Sequence, residues 1–207
     1  MRSAKTFAAV VFVLLWALSW KVCGWAQEVD PWQSYRNVVG LELPRWTGSG
    51  TLVATSGSKA LILSCRHVNP RRGMVVTVNW RGLGAKTQGV VDYVERGRGF
   101  STDLAVVITD LPAGATPQVV SKFDPAKGPW RSVGYRNGRF LEAFATEAEQ
   151  KGSLIYLNSP YMGGQSGGPT FDSQGRVVAV VVASDGKTVG VSVDGAVLHK
   201  MLQRYAR

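Results

Sequence analysis

From residue 38 onward the chain alternates short runs of Val, Leu, Ile and Thr with Gly, Pro, Asn and Asp, the rhythm of β-strands joined by tight turns. The pattern predicts strands at 38–43, 51–55, 60–64, 74–80, 89–94 and 104–108 in a first half, and at 131–135, 140–146, 153–158, 169–171, 177–183 and 189–193 in a second. Six strands make one small barrel, and each half supplies six. Residues 110–117 carry two prolines and a glycine among small side chains, a composition that suits a linker between the halves. From Asp194 the period changes. Val197, Leu198, Met201, Leu202 and Tyr205 fall at helical spacing, with Asp194 as N-cap and Lys200, Arg204 and Arg207 towards the other end, which predicts an amphipathic helix over 194–205. No fixed-period repeat or low-complexity tract interrupts the chain.

Residues 1–26 break the pattern. Arg2 and Lys5 precede an apolar run over 7–20, and Gly24-Trp25-Ala26 places small residues where a signal peptidase reads. The run is shorter than the roughly 20 residues a membrane-spanning helix needs. The segment therefore reads as an export leader, with a secreted or periplasmic product. An uncleaved leader would be a membrane anchor; otherwise no stable membrane insertion is expected. Trp20-Lys21-Val22 lacks the small uncharged residues of a lipid-attachment site before Cys23.

Composition bounds what the remaining chain can do. The full sequence of 207 residues, 45% apolar and 18% charged, suits one compact domain, over 27–207. The formal charge of +10 falls to +7 once Arg2, Lys5 and Lys21 leave with the leader. The basic residues are scattered pairs such as Arg71-Arg72, with no aromatic-interleaved basic stretch, zinc spacing or recognition helix, so no specific nucleic-acid partner is expected. Cleavage also leaves Cys65 as the only cysteine, so no disulfide staples the chain and the core carries its stability.

The densest chemical signal is Gly163-Gly164-Gln165-Ser166-Gly167-Gly168-Pro169. A serine hydroxyl is a weak nucleophile; it needs a base to take its proton and donors to hold the oxyanion it creates. Glycines on both sides let the backbone turn sharply and aim N–H groups at one point, which makes the N–H groups of Gly164 and Ser166 the expected oxyanion hole. The base is a histidine, and there are two. His67 ends an apolar strand, where it faces a cleft, whereas His199 sits beside Lys200 on the expected helix and reads as solvated. Asp103 opens the apolar run Leu104-Ala105-Val106-Val107, where a partly buried carboxylate wants a histidine partner. Singly, these are an incidental serine in a glycine-rich hairpin, a structural histidine and a strand-start aspartate. Together, in the order His, Asp, Ser, they read as a catalytic triad.

On these residues the chain resembles the chymotrypsin/trypsin superfamily of serine proteases, in the style of bacterial Deg/HtrA-like trypsin-like peptidases without a PDZ module. The matching blocks are Gly48-Ser49-Gly50-Thr51-Leu52-Val53, Ser64-Cys65-Arg66-His67-Val68, Thr102-Asp103-Leu104-Ala105-Val106 and the serine block. The resemblance implies an all-β fold of two six-stranded antiparallel β-barrels, over about 35–110 and 118–193. His67 and Asp103 would come from the first and Ser166 from the second. It implies a serine endopeptidase acting on polypeptides through an acyl-enzyme, with no metal and no cofactor. A substrate side chain would lie against the stretch Asn158 to Met162, through Ser159 and Pro160, and against Val182, Ala183 and Ser184. That wall carries no acid, so small or apolar side chains are expected to be preferred; Asp185 is the residue able to overturn this. Gln165 stands where digestive enzymes carry an aspartate, which argues against their activation switch. Val68 stands where their disulfide would follow the histidine. The competing reading is a catalytically silent relative that binds peptides or envelope proteins in the same groove.

Overall fold

The computed structural model describes residues 35–43, 47–69, 71–95, 97, 99–184, 188–193, 203 and 205. The leader expected at 1–26 lies outside them, as does the helix expected over 194–205 apart from Gln203 and Tyr205. The described residues form strands and short 3-10 turns, with no α-helix among them.

The first half is a closed antiparallel barrel of β1 (Val38–Glu42), β2 (Thr47–Ser56), β3 (Lys59–Cys65), β4 (Val75–Trp80), β5 (Ala85–Val94) and β6 (Leu104–Asp110), in the order β1-β2-β3-β6-β5-β4. Pairing of Gly40 with Asn79 closes β1 onto β4. Strand β3 shows why its sequence is apolar on both faces. Its odd positions Leu61, Leu63 and Cys65 enter a core shared with the second half, while Ala60 and Ile62 point into the barrel with Leu52, Val78 and Trp80. Alternation along β6 does the same: Leu104 and Val106 join the shared core and Val107 the barrel interior.

The second half departs from the expected six-stranded barrel. It is a seven-stranded antiparallel sheet in the order β8-β7-β11-β12-β13-β10-β9, curled into a half-barrel and not closed among the described residues. Its strands are β7 (Trp130–Arg136), β8 (Arg139–Ala145), β9 (Ala148–Lys151), β10 (Leu154–Leu157), β11 (Pro169–Phe171), β12 (Val177–Ser184) and β13 (Thr188–Ser192). The extra strand is β9, whose ladder to β10 pairs Gln150 with Ile155. It carries no apolar face to announce it, since Glu149, Gln150 and Lys151 are all exposed.

The connection between the halves is longer than the 110–117 linker read from the sequence, since β6 ends at Asp110 and β7 begins at Trp130. It is fastened midway along its path, to one lobe on each side. Gln118 N–H donates to Leu52 O at 2.8 Å, and Val119 O accepts from Val177 N–H at 2.8 Å. Val38, Leu63 and Val106 from the barrel then pack with Val133, Val180 and Val191 from the sheet in one continuous core. Each such buried side chain contributes about 1.5–3 kcal/mol relative to exposure, so the two halves are held by apolar burial as well as by chain connectivity.

One buried carboxylate organises the turn between β11 and β12. Asp172 Oδ1 accepts from the Gln174 and Arg176 backbone N–H groups, both at 2.9 Å, and Oδ2 accepts from Arg176 Nε at 2.8 Å and Nη2 at 2.6 Å. Burial alone would raise its pKa. The Arg176 hydrogen bonds and charge outweigh that and hold the carboxyl below the ordinary carboxylate range. With the folded pKa below the unfolded one, its stabilisation is present above about pH 4 and is lost as pH falls through the folded value. Asp172→Asn is therefore expected to lower the unfolding free energy by about 1.5–3 kcal/mol at neutral pH. Urea unfolding repeated down to about pH 2 should show the deficit closing.

Candidate active site

His67 is delivered by a tight turn that leaves β3. Asn69 N–H donates to Cys65 O at 3.2 Å, and the fully buried Asn69 amide locks the turn by donating to Cys65 O at 3.1 Å and to Ser64 Oγ at 2.9 Å. Asp103 is delivered from the other side, at the end of a 3-10 turn over Phe100–Thr102, immediately before β6. Antiparallel pairing of Cys65 with Leu104 brings the two together.

Their contact is bidentate. Asp103 Oδ1 accepts the His67 backbone N–H at 2.8 Å, and Oδ2 lies 2.6 Å from His67 Nδ1. An ionised carboxylate only accepts, so the proton of this contact belongs to Nδ1, and in the neutral imidazole Nε2 then carries the lone pair. Arg66 adds positive charge behind the carboxylate, with Nε 3.9 Å from Asp103 Oδ1. Its guanidinium is pinned to Gly97 O at 2.6 Å and Glu95 O at 3.2 Å. Asp103 is 4% exposed, whereas the His67 side chain is 44% exposed, so the pair is buried on its acid side and open on its base side.

Ser166 sits between two turns built on glycines. Gln165 N–H donates to Met162 O at 3.1 Å with Gly164 at φ +103°, and Gly168 N–H donates to Gln165 O at 2.8 Å with Gly167 at φ +85°. Each turn needs a left-handed third residue, which only glycine adopts without strain. Space imposes the same choice, because a Cβ at Gly167 would collide with Ser49 O and Ser64 Oγ. The N–H groups of Gly164 and Ser166 donate to no acceptor among the described residues, which leaves both free for an anion.

The serine turn is clamped to the barrel through Ser49 on β2. Ser49 N–H donates to Ser166 O at 2.8 Å, Ser49 Oγ donates to Gly164 O at 2.7 Å, and Tyr135 N–H donates to Ser49 Oγ at 2.7 Å. Gln165 is fully buried and uncharged, with its amide divided between Ser132 O at 3.0 Å and Met162 N–H at 2.9 Å.

Arg66, His67, Gly99, Phe100, Asp103, Tyr161, Ser166 and Val182 line one open cleft of about 530 Å³. The fold thus brings His67, Asp103 and Ser166 to one crevice. Within it, Ser166 Oγ hydrogen-bonds to the Tyr161 hydroxyl at 2.6 Å, and His67 Nε2 lies 3.7 Å from Cys65 Sγ; no hydrogen bond joins His67 to Ser166 among the described residues. Cys65 is free and fully buried. Burial, aided by the Asp103 charge, pushes its thiol pKa well up, so the sulfur stays protonated and is no nucleophile.

Of the expected substrate-binding residues, Val182 lines the cleft. Ser159 is buried, with Oγ donating to Thr188 Oγ1 at 3.1 Å, and it braces the loop before Tyr161. Pro160 is exposed. Ala183 and Ser184 continue β12, while Asp185 lies outside the described residues. In the sequence Tyr161, Asn69 and Ser49 have no individual role: Tyr161 stands only within the expected 158–162 wall, Ser49 only within the Gly48-Ser49-Gly50 block, and Asn69 only two positions after the histidine.

Two packed antiparallel lobes with His, Asp and Ser in one crevice define the architecture of a trypsin-like serine protease. The chain belongs to the trypsin-like peptidase domain family, whose profile matches residues 48–180. Among solved structures it is similar to a human pathogenic astrovirus serine protease, at 20% identity and TM-score 0.62, over 79% of this chain and 93% of the other. It is also similar to Rv3671c from M. tuberculosis in an inactive form, at 20% identity and TM-score 0.60, over 83% and 87% of the two chains. A Glu endopeptidase shares the fold at 18% identity and TM-score 0.67, over 84% and 92%. These likenesses are of fold. No protein of curated function matches the chain by sequence.

Ser49→Ala would strip a buried N–H at Tyr135 and a carbonyl at Gly164 of their shared partner. We expect the unfolding free energy to fall by about 1–3 kcal/mol, the cost of unsatisfied buried groups. An unchanged urea midpoint would show the bridge to be idle.

Proposed function

We propose that this protein is an exported serine endopeptidase in which His67, Asp103 and Ser166 form the catalytic triad. The observation that carries the reading is the bidentate clasp of His67 by Asp103, on an imidazole that lines the same cleft as Ser166. In that arrangement Nε2 takes the Ser166 proton as Oγ attacks the peptide carbonyl. The carbonyl oxygen becomes an anion held by the Gly164 and Ser166 N–H groups, each such donor being worth about 2.7–4 kcal/mol in the transition state. His67 then protonates the departing amine, leaving an ester on Ser166. Water, activated by the same imidazole, hydrolyses the ester and restores the hydroxyl.

Val182 and Phe100 give the cleft apolar walls, and its only carboxylate among the described residues, Asp103, is already paired with His67. This supports a preference for small or apolar substrate side chains over Lys or Arg. The export assignment rests on Arg2 and Lys5 ahead of the apolar run over 7–20. The Ser166–Tyr161 hydrogen bond favours a second reading, a peptide-binding relative without turnover. Fluorophosphonate labelling separates the two. We expect the folded protein to be labelled once and Ser166→Ala not at all; folded wild-type protein that resists the probe would overturn the protease assignment. In a peptide library, we expect cuts after small or apolar residues, and a majority after Lys or Arg would remove the specificity assignment.

A further inference from the structure

Both reacting atoms of the site face another partner. Ser166 Oγ is bonded to the Tyr161 hydroxyl at 2.6 Å, and His67 Nε2 has the Cys65 thiol 3.7 Å away. A serine side chain turns about one bond, so a rotamer committed to Tyr161 is not aimed at the imidazole. The tyrosine is half-buried and shares the cleft with Phe100 and Val182. Its backbone neighbours are fixed on both sides, Ser159 by Thr188 and Met162 by the Gln165 amide. Movement of Tyr161 is therefore a rotation of its side chain on a stationary loop.

We propose that Tyr161 is a positioning residue that holds the nucleophile of the free enzyme in a resting rotamer, released when a substrate side chain entering the cleft displaces the tyrosine ring. The proposal rests on the reading of Ser166 as the nucleophile. A peptide whose side chain fills the space between Tyr161 and Val182 breaks the hydroxyl contact on binding, and Oγ is then free to turn to His67. A reagent that reaches Ser166 without filling that space meets the resting rotamer. The tyrosine thus couples occupancy of the cleft to readiness of the serine, and it favours substrates over small electrophiles and water.

The test compares two phosphonylating probes on the full chain. One is a small alkyl fluorophosphonate with no side chain, and the other is a peptidyl phosphonate carrying an apolar side chain. Tyr161→Phe keeps the ring and removes the hydroxyl. It is expected to speed second-order labelling by the small probe about fivefold, the scale of one net hydroxyl hydrogen bond, and to leave the peptidyl probe's first-order rate at saturation within about twofold, because in that bound complex the ring is already displaced in either form. The ratio of the two rates is the readout, since a merely structural role for Tyr161 would change both alike. Tyr161→Leu, which also lacks the hydroxyl, serves the same comparison if the phenylalanine variant is poorly folded. Labelling with an unchanged ratio in a well-folded variant overturns the proposal and leaves the protease reading intact. No labelling of folded wild type or variant by either probe overturns both.

Discussion

The site depends on one buried residue, Ser49, and on the hydrogen bonds that pass through it. Its N–H holds the Ser166 carbonyl, its hydroxyl spans Gly164 O and Tyr135 N–H, and its own carbonyl accepts from Ser64 Oγ at 2.7 Å. Ser64 in turn accepts from Asn69, which fixes the turn carrying His67. One chain of contacts therefore runs from the turn that bears the imidazole to the turn that bears the hydroxyl. Since Ser49 is inaccessible to water, no solvent molecule substitutes for a lost partner. Its closeness also dictates neighbouring residue types: a Cβ at Gly134 would stand 2.7 Å from Ser49 Oγ and 2.8 Å from Gln165 Cα.

Around this clamp the site has a simple electrical layout. One buried carboxylate, Asp103, is matched by the imidazole in front and the pinned Arg66 guanidinium behind. The position before the nucleophile is occupied by an uncharged amide whose hydrogen bonds are spent inside the turn. A buried charge there would require a counter-charge to balance it, whereas Gln165 requires none. The shape of the serine turn thus follows from the chain's own amide and glycines.

Much of this was legible in the sequence, for identifiable reasons. Strands such as β3 and β12 announce themselves because an apolar run bounded by turn residues has few other solutions. Strand β9 stayed hidden because its partners are backbone groups of β10, and the Glu149-Gln150-Lys151 side chains are all in water. Closure of the second half is not legible, because strand count says nothing about whether the last ladder forms, and among the described residues it does not. The candidate triad could be read because few residue types do its chemistry and the chain has just two histidines. Ser49 and Asn69 could not, since a serine or asparagine is ordinary until its spatial neighbours are known. Tyr161 lies within the expected pocket wall, yet its hydroxyl contact is equally invisible in the sequence. Its meaning lies in a contact with Ser166, and nothing in the residue type announces it.

Cys65, free and sealed in the core shared by the two lobes, bears on how such a protein matures. Among the described residues nothing covalent joins one strand to another, so cohesion rests on closed ladders and on the core shared by the two lobes. Oxidising enzymes and thiol shuffling have no task in assembling these parts, and a reducing compartment costs them nothing. A thiol reductant therefore leaves every contact among the described strands in place.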